Sequence, residues 1–131
     1  MNATELQNLL SQPPASFQWS QSEDGTRTIG VAEGCVIDLL SDRVEMAAVF
    51  PPDRADVAAR NGALMALVLV ALRKDWQSAG DWLAVQMRQA ARAKTPLFEA
   101  ENYSRQVRFV FDRQHSRATL RIRWTPQPEL H

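Results

Sequence analysis

The chain has 131 residues, with 15 Lys+Arg against 15 Asp+Glu and therefore no formal net charge. That length fits one domain able to bury about two-thirds of its unfolded surface without a disulfide or metal staple, and 45% apolar with 23% charged residues is a globular composition. Zero net charge removes the simplest case for a nucleic-acid or anionic-membrane binder; the single cysteine, Cys35, excludes an internal disulfide, and two histidines, His115 and His131, leave almost no material for a His-based triad or zinc cluster.

The N-terminal MNATELQNLL lacks the basic and long apolar regions of a secretory signal. Asn2 with Glu5 has the spacing of a capping box, and Leu6, Leu9 and Leu10 then share one face of a short helix. Pro13-Pro14 stops it. A helix this short is not stable alone and must dock on something.

From Phe17 the period changes to two. Phe17 and Trp19 alternate with polar residues, Glu23-Asp24-Gly25 is a hairpin turn, and Ile29 and Val31 alternate on a return strand ending near Glu33-Gly34. A third strand over 35–40 puts Cys35, Ile37 and Leu39 on one face. After Ser41-Asp42-Arg43, a fourth carries Val44, Met46, Ala48 and Phe50. Such spacing predicts an antiparallel meander with one covered face.

Pro51-Pro52 breaks the strand. Asp53 and Asp56 give the next helix an acidic first turn, and it runs to about Asp75. Its middle, ALMALVLVAL, is apolar on every side, so more than one side needs a cover. Gly62 within it signals a bend or a close backbone approach. The longest apolar run, Ala63–Leu72, is short of the roughly 20 residues of a membrane span. The protein therefore reads as cytoplasmic and soluble, with no membrane contact and Cys35 reduced.

Trp76 to Gly80 is a break, and Asp81 caps a further helix through Ala93 with the stripe Leu83, Met87 and Ala90. LFEAENY reads as a connecting loop. The last hairpin has the cleanest alternation in the chain: Val107, Phe109 and Phe111, then Ala118, Leu120, Ile122 and Trp124. The tail at 125–131 has two prolines, lacks periodicity, and is expected to be unstructured. The whole predicts a single α+β domain, an antiparallel sheet of hairpins with helices packed on one face, in the order α-β-β-β-β-α-α-β-β.

The zero net charge hides two opposite halves. Residues 1–65 carry nine acids and four bases; residues 66–131 carry six acids and eleven bases. The last hairpin supplies six arginines, of which Arg108, Arg121 and Arg123 share the outer sheet face. There they would bind phosphates or carboxylates, or simply line a solvated face. No aromatic platform interleaves them, which argues against nucleic acid. Cys35 is in phase with Ile37 and Leu39 and reads as core; no histidine is positioned to activate it. Asp38 lies on the opposite face. Trp76 and Trp82 bracket the helix break and read as packing rather than as a cage for a cation. The glycines fit no phosphate-loop spacing. Catalytic residues, metal and cofactor are all expected to be absent.

With this order in hand, the chain resembles the class I chaperones of bacterial type III secretion. The similar stretch runs from Leu6 to about Asp75: a leucine-bearing first helix, FQWSQSEDGTRTIGVAEGCVIDLLSDRVEMAAVF as a meander, a proline break and a leucine-rich central helix. RFVFDRQHSRATLRIRW looks like the family's closing hairpin. The chain differs in its basic second half, in the helix over 81–93, and in having few residues after Trp124 where the family has a long helix. The resemblance implies a non-enzymatic cytosolic homodimer that holds an extended apolar segment of another protein. It nominates Leu6, Leu9, Leu10, Phe17 and Trp19 for partner contact, and Leu64, Leu67, Val68 and Ala71 for the dimer interface. The alternative expectation is a small-molecule or anion-binding regulatory domain using Arg108, Arg121 and Arg123.

Overall fold

A computed structural model describes residues 1–124; the expectation of an unstructured tail at 125–131 lies outside the described residues. Helix α1 (Ala3–Ser11) begins as its sequence dictates, with the Asn2 side chain accepting from the Glu5 backbone N–H at 2.9 Å. Strands β1 (Gln18–Gln21), β2 (Thr28–Ala32), β3 (Cys35–Leu39) and β4 (Arg43–Val49) follow as a meander. The first turn is held by Asp24, whose carboxylate accepts from Ser22 Oγ, Thr26 N and Thr26 Oγ1, while Gly25 takes φ +70°. Those hydroxyl donors pull the Asp24 carboxyl down to about 2.

Helix α2 (Ala55–Leu72) ends before Arg73, about three residues earlier than its pattern predicted, and α3 (Ala79–Arg92) starts two residues before Asp81. The chain closes with β5 (Leu97–Asn102), β6 (Val107–Asp112) and β7 (Arg117–Arg123). The α+β class and the order of elements hold, but the segment LFEAENY is a strand rather than a loop. Its alternation of Phe98, Ala100 and Asn102 with Leu97, Glu99 and Glu101 pairs in full register with β6. Two glutamates and an alanine have low strand propensity, so the cross-strand neighbour, not local preference, makes this a strand.

All seven strands form one antiparallel sheet in the order β1-β2-β3-β4-β7-β6-β5. Pairing of β4 with β7 closes the long connection through both helices and joins the acidic meander to the basic hairpin. Alternate residues face inward: Cys35, Ile37, Leu39, Val44, Met46, Ala48, Val107, Phe109, Ala118, Leu120 and Ile122 form one buried cluster with residues of all three helices. The helices thus cover one face of the sheet, and the other face is open.

Two polar side chains lock the cover in place. Asn61, fully buried on α2, donates to the Val49 carbonyl at 2.9 Å and to the Gly34 carbonyl at 3.3 Å. Gly34 has φ +68°, and a Cβ there would lie 2.7 Å from Val49 Cγ2, so the β2–β3 turn needs glycine. Arg73, 2% exposed, caps the far end of α2. Its guanidinium donates to the carbonyls of Arg105 at 2.7 Å, Arg123 at 2.7 Å and Leu72 at 3.0 Å. It therefore fixes α2 to the β5–β6 turn and to the end of β7. Gly62, in contrast, would place a Cβ no nearer than 3.7 Å to the Phe50 ring, and α2 runs on unbroken through it. No close backbone approach within the chain explains this glycine.

Candidate functional site

The leucine stripe of α1 faces the chain's own core. Leu6 and Leu10 are fully buried, Phe17 is buried, and Leu9 and Trp19 pack partly buried against the core. α2 lies over β4 and β7 and α3 over β6, so α1 supplies leucines to the same core and in docking becomes stable. The Phe17 N–H donates to the Leu10 carbonyl, and Trp19 Nε1 donates to Ser11 Oγ at 2.8 Å, tying β1 to the helix. Trp19 lies over Gly30 of β2, where a Cβ would come within 2.7 Å of its ring. The five residues nominated for partner contact hold the chain itself together.

The nominated dimer set divides in the same way. Leu64, Val68 and Ala71 are buried within the chain; only Leu67 is exposed. Residues three, four and seven apart share a face, and that face of α2 is its inward one. The outward stripe runs instead through Ala59, Ala63, Leu67 and Val70, the last 47% exposed. α2 is also the one helix among the described residues long and apolar enough to cross a membrane, and seven of its side chains are buried in this core.

Arg108, Arg121 and Arg123 do share the open face, as expected, and line a hollow of about 240 Å³ with Glu101, Tyr103 and Gln106. Two of them are already engaged. Arg121 Nε lies 3.0 Å from Glu45 Oε1, and Arg108 Nη2 lies 3.1 Å from Glu99. Glu45 also receives Arg43 Nε at 2.8 Å, and these two guanidinium groups, Arg43 first, hold its carboxyl below the ordinary glutamate value. Asp38 pairs with Arg27 at 3.6 Å.

Other candidates fall to packing. Cys35 is buried, and desolvation pushes its thiol up to about 12, well above a reactive thiolate. Trp76 and Trp82 pack as a tilted pair with ring centroids 5.6 Å apart, and the cation over Trp76 is the chain's own Arg105, held also by Asp75 at 2.9 Å. Among the described residues, no three His, Cys, Asp or Glu side chains gather as a metal site.

Two exposed features remain. On the open face, Val31 and Val36 stand directly opposite each other at 47% and 42% exposure, next to Ala47. With Val49 and Arg117 they line a shallow hollow of about 380 Å³. At the sheet margin, β5 is the outermost strand beyond β6, with Leu97 54% and Tyr103 78% exposed at its two ends. Val36 alternates out of phase with the core residues Cys35 and Ile37, whereas it is the register of β2 on β3 that sets Val31 on the open face opposite it. The β5 edge was not legible, because its strand was read as a loop. Comparison with protein-family models, with curated proteins and with solved structures finds no match to the chain.

Proposed function

We propose that this protein is a non-enzymatic, cytoplasmic partner-binding protein of secretion-chaperone-like build, which holds an extended apolar segment of another protein by adding it to the sheet at β5. One observation carries this reading: a six-residue outermost strand whose far side, among the described residues, meets no other strand, flanked by the exposed Leu97 and Tyr103. Such an edge offers main-chain hydrogen bonds to any extended segment and side-chain contacts for selection. A segment laid along β5 would meet Phe98 and Ala100 on one side and Glu99 and Glu101 on the other. It should therefore alternate apolar with basic residues.

The test is co-expression with the products of neighbouring genes, followed by size-exclusion chromatography. The expected result is one product retained by the wild type and lost with Leu97→Asp plus Tyr103→Asp, at an unchanged thermal midpoint. A partner retained equally by the double variant, or no retained partner, overturns the reading. The anion-binding alternative is weaker, because Glu45 and Glu99 already occupy Arg121 and Arg108.

A further inference from the structure

The inner face of the sheet changes in bulk from one end to the other. Across β6, β7, β4 and β3, one row is Val107, Ile122, Val44 and Leu39, and the next is Phe109, Leu120, Met46 and Ile37. The third row is Phe111, Ala118, Ala48 and Cys35, where small side chains take the places of Leu120, Met46 and Ile37. The helices above do not close the space this leaves. Near the α2–α3 junction the two helices lie close together, and a Cβ on Gly80 would stand 3.9 Å from Val70 Cγ2. Towards the other end of α3 a hollow of about 180 Å³ opens, lined by Met87 and Ala91 of α3, Phe109 and Phe111 of β6, Ala118 of β7, and Phe50 just after β4. The Phe50 backbone N–H donates to the Ser116 carbonyl at 2.7 Å, which sets its ring beside Ala118.

We propose that this hollow is a binding site for a small molecule that inserts one aromatic ring. Its size fits, since an apolar protein cavity of roughly 150 Å³ takes up benzene, whereas sites for drug-sized ligands need roughly 300 Å³ or more. Its chemistry fits as well. Three phenylalanines offer ring edges and faces, and the Met87 thioether adds a polarisable contact, so an aromatic guest gains more than an aliphatic one of equal bulk. None of the six side chains carries an N–H or O–H donor or an oxygen acceptor. A hydroxyl or a charge on the inserted ring would therefore lose its water partners without replacement.

Protein interiors keep few voids larger than a water molecule. Here Ala91 and Ala118 hold the space open, because a leucine at either position would fill it. Ala91 is exposed while Phe109 and Ala118 are fully buried, so a ring enters beside α3 and comes to rest on β6 and β7. The lining supplies no nucleophile and no group that transfers a proton, so the site binds its guest unchanged. No β5 residue lines the hollow. Ring binding therefore stands or falls separately from partner capture at the outer margin of β5.

The test is titration of the full chain with toluene, followed by the methyl resonances of its methionines in NMR. The expected result is a saturable shift of the Met87 methyl while that of Met1 stays in place, with a dissociation constant of about 0.1–1 mM for a guest of so few atoms. Phenol, which carries a hydroxyl into the same space, should bind at least about tenfold more weakly. Ala118→Leu should weaken toluene binding about tenfold or more by filling the hollow. Should that variant fail to fold, Ala91→Leu does the same from the exposed side. No saturable shift at Met87 overturns the proposal. So does phenol binding as tightly as toluene, toluene binding that survives the filling variant, or binding lost with Leu97→Asp plus Tyr103→Asp, which would move the guest to the β5 edge.

Discussion

The two faces of this sheet are built from alternate residues of the same strands, yet they do different work. On the inner face Leu39, Val44, Ile122 and Val107 follow one another across four strands, all buried beneath the helices. One residue further along, the outer face presents Asp38, Glu45, Arg121 and Arg108, all in reach of water. The inner face draws its stability from removing apolar surface from water and tolerates little change in volume. The outer face draws little from its ion pairs, because exposed pairs are worth roughly 0–1 kcal/mol. What the outer face holds instead is a pattern of charge, and pattern serves recognition more than stability.

The sharpest way to break the contrast is to remove volume from the covered side. Leu120→Ala, at a fully buried position in mid-sheet, should cost about 3–4 kcal/mol in chemical denaturation. A loss below about 1 kcal/mol would mean that the helices do not seal this face. Next in size is Arg73→Met, which keeps the apolar stem but leaves the Arg105 and Arg123 carbonyls without their donor. We expect a loss of about 2–3 kcal/mol, with hydrogen exchange rising at the β5–β6 turn and the end of β7 before it rises in β3. Equal exchange in both places would remove Arg73 from its clamping role.

The smallest effect belongs to the open face. Glu45→Gln should cost no more than about 0.5–1 kcal/mol at neutral pH. The wild-type Glu45 carboxyl is lowered by Arg43 and then by Arg121. Its contribution is therefore present above the ordinary glutamate value of 4.5 and is lost as the pH falls through the depressed folded-state value. The difference in stability between wild type and Glu45→Gln should shrink across that acid range; a difference that grows on acidification would contradict the ion-pair geometry.

Much of the fold was legible because burial imposes a period. Alternation in 35–39, 44–48 and 118–122 named the inward residues correctly, and Asn2 with Glu5 marked the start of α1. The candidate site was less legible. A stripe such as Leu6, Leu9 and Leu10 announces that something will cover it but not whether that is another protein or the chain's own sheet. Here it is the sheet. The same ambiguity hid that Leu64, Val68 and Ala71 face inward, since an all-apolar helix has no polar side to show which way it faces. The β5 strand escaped because its residues are strand-forming only beside β6.

The sequence by itself determined which residues lie on which side of β3, β4, β6 and β7, because successive side chains point to opposite faces, and it determined that the acidic and basic halves of the chain are separate. Only the tertiary structure decided that β4 and β7 are neighbours. That pairing sets Glu45 beside Arg121 and joins the meander to the arginine-bearing hairpin in one sheet. Strands distant in sequence are brought together by sealing one common core, and no local pattern records which partner a strand will find.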